Sequence, residues 1–231
     1  MNVAAELVEV EMAIRSEDTP PRQLPALGRR QQEAYRRLAA HPDWVAAVVG
    51  HVPPDLGAVI QANVTAGQEL RVLSGTVTTV PQWRIIAPLP PDVLLGYYRE
   101  AESRFGVPWP YLAAINFVES NMGRILGASS AGAQGPMQFI PSTWAAYGEG
   151  DINNPHDAIL AAARYLRASG APINMPRALY AYNPSQRYVR AISLYAEQMK
   201  ATERPYFGYY YWQVYVLTTR GEVLLEEGYG T

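Results

Sequence analysis

One carboxyl group in this sequence sits where it could do chemistry. In Ala113-Ala-Ile-Asn-Phe-Val-Glu-Ser120, Leu112, Ile115 and Glu119 recur at intervals of three and four, so they share one side of a helix. Desolvation on an apolar face disfavours the charged form of a carboxyl and raises its pKa, which is what a general acid near neutral pH requires. The same pattern also fits a buried Glu119 paired structurally with an arginine such as Arg124, and the helix alone leaves both readings standing. The segment from Ser129 to Trp144 is a small-residue loop running into a helix. Gly132 and Gly135 allow backbone to approach a ligand closely, and Gln138 offers both a donor and an acceptor, which suits sugar hydroxyls and N-acetyl groups. In Ala178-Leu-Tyr-Ala-Tyr-Asn-Pro184, Tyr182 and Asn183 fall at a helix end, where side chains project into a cleft. Glu149, Asp151, Asn153 and Asn154 carry oxygen donors without the full spacing of a calcium loop. No metal is expected there, and Asn154 reads as a helix cap.

These residues need elements to position them. Helical patterns are read over 5–17, 26–40, 43–49 and 55–70, then an irregular stretch over 72–81 and a boundary at Pro88, Pro90 and Pro91. Asp92 reads as the cap of a helix whose apolar positions are Leu94, Tyr97, Tyr98, Ala101 and Phe105, with Gly106 ending it. Pro108-Trp109-Pro110 opens the Glu119 helix. Further helices are read over 141–147, 154–169, 176–182 and 185–200. Tyr209–Thr218 and Val223–Leu225, flanking Thr219-Arg-Gly-Glu222, read as a β-hairpin. Its first arm is apolar on both faces and is expected to pack on the helical body, with glycan stacking by Tyr209, Tyr211 or Trp212 as the alternative. The organisation expected is an N-terminal helical segment over 1–80, a catalytic domain over 81–204 and a hairpin tail over 205–231.

Composition narrows the classes. The 231 residues carry 19 basic and 21 acidic side chains, a formal net charge of −2, which argues against a dedicated nucleic-acid binder. With 48% hydrophobic and 17% charged residues the chain has the makings of a buried core. No apolar run approaches the length of a membrane span. The absence of cysteine excludes disulfides, thiol nucleophiles and Cys-ligated metals. Met1-Asn-Val-Ala-Ala-Glu lacks the basic and apolar regions of a signal peptide, which leaves three readings open: a cytoplasmic protein, an export signal trimmed from this sequence, or release by lysis.

Taken together and in order, Glu119-Ser120, then Ser129-x-Ala-Gly-Ala-x-Gly-x-Met-Gln-Phe-x-Pro-Ser-x-Trp144, then Ala181-Tyr182-Asn183 resemble the SLT-type lytic transglycosylases of bacterial peptidoglycan, in the lysozyme-like superfamily. Phe139-Ile-Pro-Ser-Thr-Trp144 and the run from Tyr147 to Ile159 look most like the membrane-bound B-type enzymes and their actinobacterial relatives. The resemblance covers about residues 91–196. It implies a mainly α, lysozyme-like domain and cleavage of the β-1,4 bond between N-acetylmuramic acid and N-acetylglucosamine, giving a 1,6-anhydromuramoyl product. It implies Glu119 as the single acid/base, with Ser120, Ser129, Gln138, Phe139, Tyr165, Tyr182 and Asn183 in the substrate site. It implies no cofactor, peptidoglycan glycan strands as the partner of a monomer, and an extracytoplasmic location whose export signal has been trimmed from this sequence. Pro136 departs from the leucine common at that motif position, which bears on the shape of the site. A hydrolytic muramidase of the goose-lysozyme kind, with an acid from Glu149 to Asp157 activating water, and a non-catalytic peptidoglycan-binding protein are the alternatives.

Overall fold

The structure, a computed structural model, describes residues 3–230. The chain is mainly α-helical, and the lysozyme-like organisation implied by its motifs is the one it adopts. Four helices come first: α1 (Val3–Arg15), α2 (Leu24–Ala40), α3 (Val45–Gly50) and α4 (Pro54–Ser74). They bury Leu7, Ala34, Tyr35, Leu38, Ile60 and Val64 against one another. α4 is longer than the apolar pattern predicts. It runs through Val72 to Ser74, where Gly75 at a φ of 66° stops it.

The second group is α5 (Pro91–Phe105), α6 (Trp109–Ser120), α7 (Pro141–Tyr147), α8 (Pro155–Ala168), α9 (Met175–Tyr182), α10 (Gln186–Ala201) and α11 (Arg204–Tyr210). Prolines open most of them, because the missing N–H costs nothing in a first turn. Asp92 lies inside the first turn of α5 and makes no cap hydrogen bond. Its charge complements the helix dipole instead. Asn154 does cap α8, accepting from the N–H groups of His156 and Asp157. α6 is nearly all buried, and α10 runs between it and α4. The main core therefore includes Ala66 of α4 beside Leu112, Ile115, Tyr188, Ile192 and Tyr209.

The tail differs from its sequence reading at the near end. Tyr209 and Tyr210 belong to α11, not to a strand, and Tyr209 is wholly buried. Its ring lies 5.5 Å from Phe117 and 5.2 Å from Tyr195, so it serves as packing. The hairpin proper is β3 (Val214–Thr218) paired antiparallel with β4 (Gly221–Leu225), Val214 facing Leu225. A second, two-residue ladder escapes the sequence analysis altogether. β1 (Arg84–Ile85) pairs with β2 (Ile125–Leu126), tying the connector before α5 to the chain just after α6.

Candidate active site

The Glu119 helix ends abruptly. Asn121 and Met122 both take left-handed backbone, at φ 51° and 63°, and Gly123 follows at 84°. Two successive non-glycine residues in that region are costly and persist only where the surroundings hold them. Here the Asn121 side chain donates to the carbonyl of Trp212 (3.1 Å), and Met122 is sealed in the core beneath Tyr98, whose hydroxyl reaches its sulfur at 3.7 Å. The turn thus points the chain into β2 and on to the Gly127–Gly135 loop.

That loop is bolted to α6 from below. Buried Asn116 accepts from Tyr98 Oη (2.6 Å) and donates to the Pro136 carbonyl (2.8 Å) and to Ser120 Oγ (3.1 Å). Ser120 Oγ in turn donates to the same carbonyl at 2.5 Å and accepts from Gly123 N–H. Ser120 has no exposed surface. The structure therefore keeps it away from the open face and gives its hydroxyl to the frame of the loop. Gly135, at φ 74°, is required where it stands, since a Cβ there would lie 2.0 Å from the carbonyl oxygen of Ile152.

Above this frame Glu119 meets one hydrogen-bond donor among the described residues. Tyr188 Oη of α10 donates to Glu119 Oε1 at 2.7 Å. Burial pushes the Glu119 carboxyl up to about 7, and the Tyr188 bond opposes that rise only in part. Arg124 does not pair with it. The Arg124 guanidinium turns to the Asn121 carbonyl and the Tyr210 ring. Among the described residues no carboxylate shares a hydrogen bond or ion pair with Glu119. Glu149 is taken by Arg164, Asp151 accepts from the N–H of Asn153, and Asp157 accepts from the N–H of Asp151. No cluster among the described residues could hold a metal ion.

A ribbon of rings leads away from the acid. Tyr188 stacks parallel on Tyr182 (6.4 Å), which lies 5.7 Å from Tyr165 and 5.9 Å from Phe139, and these continue to Tyr147 and Trp144. Tyr182 Oη donates to the Met137 carbonyl and Tyr165 Oη to the Ala181 carbonyl, each at 2.7 Å, so both rings are pinned. Phe139 is 2% exposed and acts as the base of the ribbon, not its surface. Gln138, at φ 48°, spends its amide N–H groups on the carbonyls of Gly135 and Gly127. Ser129 Oγ accepts from the N–H groups of Ala131 and Ala133 within its own loop, and its O–H has no protein acceptor among the described residues. The Asn183 side chain has no protein partner among the described residues. Glu119, Tyr182, Tyr165 and, beside Met137, Gln138 are joined in one partly exposed face, and Ser129 and Asn183 are partly exposed as well. A cavity of about 470 Å³ beside Trp44 and His51, and one of about 120 Å³ beside Arg124 and Tyr211, both lie apart from Glu119.

Residues 96–203 match the family profile described as Transglycosylase SLT domain. The chain carries an SLT-type transglycosylase domain. A relative, the membrane-bound lytic murein transglycosylase F of Thiobacillus denitrificans (strain ATCC 25259 / T1), is 36% identical over 107 residues, which cover 43% of this chain and 22% of the relative. The chain thus spans about a fifth of that protein's length. The SLT span holds α6, the Gly-rich loop, the ring ribbon and Tyr188. Sequence reasoning passed over Tyr188, because on α10 it falls in register with Ile192, Tyr195 and Met199 and reads as one more core position. Trp83, β1 and the hairpin lie outside the SLT span.

Proposed function

We propose that this chain is a peptidoglycan lytic transglycosylase, a carbon–oxygen lyase with Glu119 as its single acid/base. Protonated Glu119 gives its proton to the oxygen bridging N-acetylmuramic acid and N-acetylglucosamine. The C1–O bond breaks, the N-acetylglucosamine leaves with a free hydroxyl, and the muramoyl ring passes through an oxocarbenium-like state. The Glu119 carboxylate then takes the proton of that ring's own C6 hydroxyl as its oxygen bonds to C1. A 1,6-anhydro ring closes and no water is consumed. Because the nucleophile belongs to the substrate, positioning replaces the second carboxylate of an ordinary glycosidase.

The observation that carries this reading is a lone carboxyl, raised to about 7 by burial, hydrogen-bonded by one tyrosine and by no acidic neighbour among the described residues. Such a group is protonated often enough at neutral pH to act as an acid and becomes a usable base once ionised. Ser129, Gln138, Tyr165, Tyr182 and Asn183 supply hydroxyls, amides and ring faces for the glycan, Phe139 backs them, and Ser120 supports the site through the loop frame. Peptidoglycan glycan strands are the partner of a monomer working outside the cytoplasm. Among the described residues no helix is long and apolar enough to cross a membrane. The division into a supporting segment over 1–80, a catalytic domain over 81–204 and a tail over 205–231 belongs to the same proposal. Digestion of purified peptidoglycan, read by mass, tests it. Products lighter by one water per cut than hydrolytic fragments are expected. Fragments that have gained water would show a muramidase, and binding without turnover a glycan-binding protein.

A further inference from the structure

Trp83 stands on the connector between α4 and α5, outside the SLT span. Its segment is held from both sides. β2 pairs with β1 on one edge, and on the other Ile85 N–H donates to Tyr229 O (2.9 Å) while Gly228 N–H donates to Ile85 O (2.8 Å). The tail lies so close that a Cβ on Gly230 would sit 2.2 Å from the Trp83 carbonyl oxygen. The indole packs on the small core of Ile85, Val214, Val216 and Leu225 and stays half-buried. Its pyrrole edge faces Gly127 of the Gly-rich loop. A Cβ there would lie 2.6 Å from Trp83 Cδ1 and 3.5 Å from Nε1, so only glycine admits the ring.

The same glycine's carbonyl accepts from Gln138 Nε2 (3.3 Å). Trp83 and Gln138 therefore both contact Gly127, and each shows an unused polar atom. The Trp83 N–H has no acceptor and Gln138 Oε1 no donor among the described residues, and neither atom is a buried orphan. Trp212 makes the contrast. It is a packing tryptophan, and its N–H is satisfied by Gln31 Oε1 at 2.9 Å. From Gln138 the face runs through the Met137 carbonyl to Tyr182, Tyr188 and Glu119.

We infer that Trp83 and Gln138, which both contact Gly127, form a saccharide subsite apart from the Glu119–Tyr188 pair. The indole takes the apolar face of a sugar, and its N–H together with Gln138 Oε1 takes a hydroxyl or acetamido group. This subsite rests on the glycan-cleaving reading of Glu119. It makes the connector and the tail part of substrate selection, favouring long strands over short ones.

The full chain tests it in two ways. With Glu119→Gln to prevent turnover, the nitrogen-labelled indole N–H resonances are followed while glycan strands freed of stem peptides are added, Trp83→Phe identifying the signal. The Trp83 resonance should shift. With Glu119 intact, Trp83→Ala should raise KM for long strands about tenfold, the size of one lost aromatic stacking contact, and leave kcat and the KM for a tetrasaccharide unchanged. A Trp83 signal that stays still while other resonances report saturation overturns the subsite alone, as does an equal KM change for long and short substrates. Strands that move no resonance and are not cut by the unmodified chain overturn the Glu119 reading and the subsite with it.

Discussion

Glu119→Gln keeps the shape of the side chain and removes its proton chemistry, so it separates the role of the acid from its cost to the fold. Moving a carboxyl from its ordinary 4.5 to about 7 disfavours the ionised form in the folded state by about 3 kcal/mol. Partial exposure of Glu119 trims this to about 2 kcal/mol. Because the folded-state value is raised, the stabilising contribution is complete below the unfolded value and is lost as pH climbs from about 4.5 through 7. Urea unfolding at half-unit steps from pH 4 to 9 should therefore show the unmodified chain losing about 2 kcal/mol relative to Glu119→Gln across that window, with no further divergence above it. Release of soluble muropeptides from sacculi, measured on the same samples, should fall to background in the variant. Parallel stability curves would refute the desolvation argument, and retained turnover would refute the assignment of Glu119.

Tyr188→Phe deletes the one donor to Glu119 among the described residues, whose bond lowers the carboxyl's pKa. The alkaline limb of the pH–rate profile should move upward, and turnover should fall about tenfold, the scale of a hydrogen bond to a charged group. Gly135→Ala forces a Cβ to within 2.0 Å of the Ile152 carbonyl at a left-handed position. It should cost upwards of about 1 kcal/mol in thermal unfolding and depress activity through the displaced loop; a melting curve identical to the parent's would show that the loop yields freely.

The parts of this molecule that could be read from its sequence are those fixed by near neighbours in the chain. Asn154-Pro155 announces a cap and a first turn within two residues, and Gly106 stops α5 at a φ of 69° that few other residues accept. The Glu119 face is legible because helix periodicity is local. What escaped depends on distant partners. Tyr188 becomes special only when α10 lies across α6. Ser120 looked like chemistry because it follows Glu119, but the Pro136 carbonyl claims its hydroxyl. β1 and β2 are two residues each, too short to show alternation, and their pairing joins positions some forty residues apart. α11 hid behind aromatic residues that favour strands, although Arg204-Pro205 carries the usual sign of a first helical turn.

The way α4 lies along α10 bears on how such a protein is divided in the laboratory. Ala66 reaches the same interior as Tyr188, and Glu69 grips Arg187 and Arg190 at 2.6 and 2.9 Å, one residue to either side of Tyr188 and its neighbour Val189. A fragment trimmed to residues 96–203 would strip the backing from the very helix that steadies the acid, and would expose an oily flank to solvent. The stretch of polypeptide that bears the family likeness is shorter than the stretch able to keep that acid aimed.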